Sequence, residues 1–320
     1  MGLSLKMAQV RLSELEFDEV SKALRKKGIT VDTGLASFHI RTPNRSVARS
    51  FYDMYSNHMV CLQDTWFDFT ISVESPPNLR RLFRPQALFK LDGIPPFLPL
   101  PKAHSYPLLE WGMNWCVASH YHTYLILHAA VLEKSGKAVI LPAPPGSGKS
   151  TLCTYLAYSG WRLLSDEMAV IDLVTGEISP FLRPICVKND AIDIVKRWFP
   201  DAVLTPTAKD TQKGSVAHIR PPINAIQNTN VRPRVHTILF PSYSRDAERT
   251  DIRELNHAEA LPKLLENAFN NEVLGADGFR SLIKLMDDAS LIADAEYANV
   301  QDVDLFLTDR LQEATCETMS

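Results

Sequence analysis

The chain has 320 residues, with 45% apolar and 22% charged types, shares that exclude collagen-like, mucin-like and disordered classes. Its 34 basic and 37 acidic residues give a formal charge of −3, which is not the basic footprint of a dedicated nucleic-acid binder. At roughly 100–200 residues per domain, the length accommodates one small domain and one larger one.

The opening MGLSLKMAQVRLSELEFDE lacks the long apolar core and cleavage site of a signal peptide. A helical pattern over Leu12–Lys27 stops at Gly28. Strand-like alternation follows in Ala36–Arg41 and Trp66–Val73. Prolines 76, 77, 85, 95, 96, 99, 101 and 107 then favour loops over regular elements. We therefore expect a small α+β module over residues 1–90 and a larger α/β domain over 91–320. The basic stretch Leu79–Lys90 reads as a solvated rim, with docking of an acidic partner as the sharper alternative.

A helical run from Pro107 leads into Thr123–Leu132, read as one strand, then a turn at Lys134–Lys137 and a strand at Ala138–Leu141. The longest apolar stretch, Tyr124 to Leu132, carries His128 and is too short to cross a bilayer. Pro144–Ser150 is a loop, followed by a helix to about Ser159 that Gly160 terminates. Apolar runs at Trp161–Ser165 and Met168–Leu173 come next, with a turn at Thr175-Gly176. The last third reads as mostly helical, with helices at Ala258–Asn270, Gly278–Asp288 and Val303–Leu311. Cys61, Cys116, Cys153, Cys186 and Cys316 are odd in number and form no CxxC pair, the pattern of reduced thiols in a cytoplasmic protein.

The segment APPGSGKS, residues 143–150, fits a phosphate-binding loop in which Ala replaces the first glycine. Gly146 and Gly148 let successive backbone N–H groups turn inward around an anion. Lys149 is a point charge for the β- and γ-phosphates, and Ser150 offers a hydroxyl to Mg²⁺. Pro144, Pro145, Gly146, Ser147, Gly148, Lys149, Ser150 and Thr151 form the expected ATP-binding loop, backed by the positive end of the following helix.

Downstream, Asp166 and Glu167 close an apolar run. A phosphate-loop protein needs a carboxylate on a neighbouring strand for its metal, and a kinase needs a base for the acceptor hydroxyl. A solvated acidic pair is the bland alternative. Neighbours in an extended strand point to opposite faces, so the pair divides unless the chain bends there. His128, in LILHAAVL, is either a satisfied core histidine or a group beside the loop. The topology favours the loop, because the short turn before Ala138 brings its strand alongside the one that feeds the loop. Cys116 and His120 share a helical face near His122 and His128, but no second ligand pair has zinc spacing.

Seven segments carry a family resemblance: EWGMNWC (110–116), LHAA (127–130), LPAPPGSGKSTL (141–152), GWRLLSDEMAVID (160–172), RPICVKND (183–190), DTQKGSVAHIRPP (210–222) and LENAFN (265–270). In this order they resemble the HPr kinase-related kinases, type A, and His128 to about Asp172 resembles the catalytic core of the bacterial HPr kinase/phosphorylase fold. The resemblance implies an α/β phosphate-loop kinase core with a helical C-terminal part. It implies that Lys149 contacts phosphates, that Ser150, Asp166 and Glu167 form the metal environment, and that His128 is the active-site histidine. Glu167 stands where that family has a second aspartate, which leaves open which carboxylate is the base. Lys213 matches a catalytic arginine position, Arg220 a second phosphate-handling loop, and Arg183 and Lys188 are phosphate-clamp candidates for which a structural role is the alternative.

The expected function is therefore ATP- and Mg²⁺-dependent phosphoryl transfer to a hydroxyl, on Ser or Thr of a protein or peptide. A small-molecule kinase and a non-catalytic ATP-binding switch or scaffold are the alternatives. No nucleic-acid or membrane partner is expected, and a homo-oligomer is compatible with the sequence.

Overall fold

The computed structural model describes residues 9–63, 65–77 and 83–317, with side chains through residue 312. The first eight residues, the 79–82 portion of the basic stretch and the Cys316 side chain lie outside the described residues. The molecule is mixed α/β and divides into two units, each built from two stretches of chain.

The first unit joins Met1–His120 to Arg183–Ile226. Its first stretch contains β1 (Val10–Arg11), α1 (Phe17–Lys26), β2 (Ile29–Asp32), β3 (Ser37–Arg41) and α2 (Arg45–Met54). It continues through β4 (Met59–Cys61), β5 (Phe69–Glu74), β6 (Gln86–Leu91), β7 (Leu100–Pro101) and α3 (Ser105–His120). The seven strands form one sheet in the order β1-β4-β2-β3-β5-β6-β7. The boundary expected near residue 90 falls within β6, so this sheet extends past it. α1 ends where the sequence predicts: Gly28, at φ +96°, donates its N–H to Ala23 O at 2.8 Å.

The second unit joins Tyr121–Leu182 to Gln227–Ser320. Tyr121–Leu182 carries β8 (Tyr124–Leu127), β9 (Ala129–Lys134), β10 (Lys137–Pro142), α4 (Lys149–Tyr158), β11 (Arg162–Ser165), β12 (Ala169–Asp172) and β13 (Ile178–Ser179). Returning to the first unit, 183–226 holds β14 (Ile185–Lys188), α5 (Asp190–Trp198), β15 (Ala208–Thr211), β16 (Gly214–Ile219) and α6, which starts at Ile223 and ends at Gln227. The second unit then resumes with β17 (Arg234–Tyr243), β18 (Asp251–Glu254), α7 (His257–Glu266), α8 (Asn271–Leu274), α9 (Ala276–Asp288), β19 (Leu291–Tyr297) and α10 (Val300–Glu317).

Its main sheet runs β11-β9-β10-β17-β19-β18, beside a smaller sheet β13-β12-β8. β10 is covered on both faces: Ala138, Val139, Ile140 and Leu141 are fully buried, which is why it reads as an unbroken apolar run. Ala138 and Ile140 join Leu125, Val131, Leu164, Ile238 and Leu282 in one core cluster. Two expectations need correction. The last third holds the three expected helices, as α7, α9 and α10, but also β17 and β19, which both pair in parallel within the main sheet. The single strand expected at Thr123–Leu132 is two strands in different sheets, broken at His128. No described helix is long and apolar enough to cross a membrane.

The β9–β10 connection fixes the register of the site. Ser135 and Gly136 both have positive φ, +56° and +80°, the requirement of a two-residue I′ hairpin turn. A β-branched residue is strained at such a φ, whereas Asn tolerates it. Ser135→Val should therefore cost about 1–3 kcal/mol in urea unfolding, and Ser135→Asn should hold or raise the melting temperature. Equal melting of both variants would show that the turn does not govern hairpin stability.

Candidate functional site

The strands at one side of the main sheet converge at a single end. β9 runs antiparallel to both β10 and β11. Ala129 pairs with Pro142, so His128 and Ala143 leave their strands at the same level. Ser165 is opposite Val131, and Asp166 and Glu167 follow at that end. β17 and β19, parallel to β10 in turn, finish there at Tyr243 and Tyr297.

The glycine loop leaves β10 and turns directly into α4. Gly146 and Gly148 have φ of +93° and +86°. At Gly148 the demand is also steric: a Cβ would stand 2.7 Å from Tyr243 Cβ and 3.1 Å from the Tyr297 hydroxyl. Ser147 N–H donates back to Pro144 O at 3.4 Å, and Ser147 O accepts from Tyr243 N–H at 2.9 Å. Gly148 serves as N-cap, and Lys149, the first helical residue, is only 6% exposed.

Asp166 and Glu167 do not continue β11. The chain bends there, with Ser165 Oγ accepting from Met168 N–H at 3.1 Å. Asp166 is buried and Glu167 half-buried, so the two carboxylates occupy different environments. Cys153, one helical turn after Lys149, is fully buried, and its thiol donates to the Asp166 carboxylate. Burial pushes this thiol well above its ordinary range; the Asp166 charge adds to the rise, and the Lys149 ammonium opposes it. Lys149, Cys153 and Asp166 thus share one buried electrostatic neighbourhood. The sequence places Cys153 only among the reduced thiols, although its i+4 spacing from Lys149 was the available signal of a place in the site.

His128 is half-buried, with its ring 5.6 Å from that of the exposed Phe269. The segment LENAFN holds it in place. His128 N–H donates to Asn267 O at 2.7 Å, and Phe269 N–H donates to Ile126 O at 2.9 Å. The Asn270 amide clamps the same edge, accepting from Ile126 N–H at 3.0 Å and donating to Tyr124 O at 2.8 Å. This pairing separates β8 from β9 and turns the chain at the histidine. Asn270 is a positioning residue that sequence reasoning quoted within a motif but gave no role.

The four basic candidates belong to the first unit, where each has a local place. Arg183 is buried; its Nη1 donates to the Glu110 backbone carbonyl at 2.9 Å and to the Glu110 carboxylate at 3.0 Å, and its Nη2 donates to Asn114. Two of the resemblance segments, EWGMNWC and RPICVKND, thus meet in a buried ion pair. Arg220 Nε donates to Asp53 O. Lys213 lies 5.8 Å from the centre of the Trp111 ring, and Lys188 pairs with Val216 in a β14–β16 ladder. Glu110, Asn114, Asp53 and Trp111 thus tie the 183–226 stretch to 9–120.

The zinc alternative has Cys116 and His120 on α3, where His120 Nδ1 contacts Cys116 O at 2.9 Å and burial pushes the Cys116 thiol up to about 12. His122 and His128 belong to the second unit. Among the described residues no group of three His, Cys, Asp or Glu is disposed to hold a metal ion. Magnesium asks less of the protein, one or two carboxylates and a hydroxyl beside substrate phosphates. Ser150, Asp166 and Glu167 are oxygen donors of that kind.

Asn270→Ala would strand the buried Ile126 N–H and Tyr124 carbonyl. It should cost about 2–6 kcal/mol in denaturant unfolding, taking roughly 1–3 kcal/mol for each unsatisfied group. A loss well under 1 kcal/mol would mean that another group clamps this edge. No protein-family model and no curated protein matches the chain, so the chemistry of the site is argued from its own residues.

Proposed function

We propose that the second unit is an ATP-dependent phosphotransferase with an HPr kinase-like phosphate-loop core, and that its acceptor is a hydroxyl on Ser or Thr of a protein or peptide. One observation carries the reading: the glycine loop, His128 and the Asp166–Glu167 pair leave three adjacent strands at the same end of the sheet. A chance glycine-rich turn needs no such company.

Phosphoryl transfer requires positioning and charge stabilisation more than covalent chemistry. The loop amides and the N-terminus of α4 face an anion with partial positive charge, and Lys149 supplies a full one. Ser150 and Asp166, with Glu167 beside them, would hold Mg²⁺, which when bound neutralises charge on the β- and γ-oxygens. The acceptor proton passes to one of the two carboxylates. Glu167, the more exposed, can reach a solvent-side hydroxyl without unburying, which favours it as base and Asp166 as the metal-side group. His128 either orients a carboxylate as neutral imidazole or offsets phosphate charge when protonated.

Four variants test the reading. Lys149→Ala should weaken Mg–ATP binding or abolish transfer with the fold intact; unchanged affinity and turnover would sink the phosphate-loop assignment. Asp166→Asn and Glu167→Gln should each depress transfer more than ATP binding, by about 10²–10⁴ for whichever is the base. Full activity in both would place the base elsewhere. His128→Asn should cut transfer strongly at little cost in stability. A His128→Asn protein that melts early yet turns over normally when folded would assign the ring to packing alone. The assay is labelled ATP incubated with a lysate and the purified chain, read by mass spectrometry of the labelled species.

A further inference from the structure

Tyr243 ends β17 at the rim of the glycine loop, and two contacts tie it there. Its backbone N–H donates to Ser147 O at 2.9 Å, and a Cβ on Gly148 would lie 2.7 Å from its own Cβ. The side chain therefore starts in contact with the loop's second glycine. Behind it the buried Tyr297 ring meets it edge-on, with centroids 6.0 Å apart and planes at 66°. The Tyr243 ring is thus supported from one side and 48% exposed on the other. A large aromatic surface left in water forgoes the stabilisation of burial, and an aromatic held in place with an open face suits a flat ligand. A phosphate chain seated on this loop would carry a nucleoside at one end, and every nucleobase has a π-face that stacks on aromatic side chains.

We propose that Tyr243 is a nucleobase platform, stacking the base of the nucleotide whose phosphates the loop and Lys149 hold. This rests on the phosphate-loop reading above and adds a subsite for the base, which that reading leaves unassigned. Stacking tolerates any base. The subsite therefore separates a nucleotide from bare polyphosphate more sharply than it separates adenine from guanine.

The test is calorimetric titration of the full chain with Mg–ATP, Mg–GTP and Mg–tripolyphosphate, using wild type, Tyr243→Ala, Tyr243→Phe and Lys149→Ala. Thermal melts establish that each variant folds. Tyr243→Ala should weaken ATP and GTP by about tenfold or more, the scale of one base–aromatic stack, and leave tripolyphosphate unchanged. Tyr243→Phe, which keeps the π-face, should stay within about twofold of wild type for all three. Equal weakening of ATP and tripolyphosphate in Tyr243→Ala would overturn the proposal, because the ring would then only support the loop. Unchanged ATP affinity would overturn it as well and assign the exposed ring to another partner. If wild type binds none of the three ligands, or Lys149→Ala binds tripolyphosphate as wild type does, the phosphate-loop reading fails and the platform fails with it.

Discussion

The second unit depends on β10 being buried on both faces and hydrogen-bonded on both edges. β9 reverses into it through a two-residue turn, and β17 adds in parallel on the other edge. Once Lys134 is set against Lys137, every pair down to Ala129–Pro142 follows, and a slip of one residue would move every β9 side chain to the opposite face of the sheet. The loop must then emerge level with His128, and β11 must deliver Asp166 to the same end. Position here follows from backbone register, and side-chain contacts refine it.

Short-range signals in the sequence identified the elements that depend on short-range causes. Gly28 stops α1, the KSGK turn joins β9 to β10, and the glycine loop sits between strand and helix, all where the residue types require them. Non-local causes were not legible. The run TYLILHAAVL contains no breaker, so it reads as one strand; it breaks at His128 because Asn267 and Asn270, about 140 residues downstream, pair with its backbone. β17 was missed because a doubly buried strand loses the period-2 alternation that marks a half-exposed one. The first unit's second stretch, 183–226, was read as continuous kinase domain, since no composition shift marks a chain that leaves one core and returns to another.

The basic residues show the same limit from the site's side. Arg183 and Arg220 lie in motifs that a sequence reader assigns to phosphate handling. Arg183, however, spends its charge on Glu110, which also accepts from the Tyr55 hydroxyl at 3.2 Å. Removing one partner of such a buried pair leaves an uncompensated charge and costs several kcal/mol. Loss of activity on mutating Arg183 would therefore be ambiguous between anchoring and catalysis, and only a stability measurement beside it separates them.

The buried neighbourhood of Lys149, Cys153 and Asp166 is where stability and function part company. An ammonium and a carboxylate taken out of water lose hydration that their mutual attraction replaces only in good geometry, and apolar residues of the same size often serve a fold equally well. The same sheet shows that option in use: Leu163 and Leu164, just upstream of Asp166 on β11, are fully buried and apolar. Charge at Lys149 and Asp166 therefore answers a different requirement, and so does the glycine at 148, where a Cβ would collide with Tyr243. Local rules broken together, at one end of one sheet, mark a site rather than a core. Each of the three features is costly for folding, and the Mg–nucleotide site proposed above would account for all of them: phosphates beside Lys149 and the glycine loop, and the cation beside Asp166.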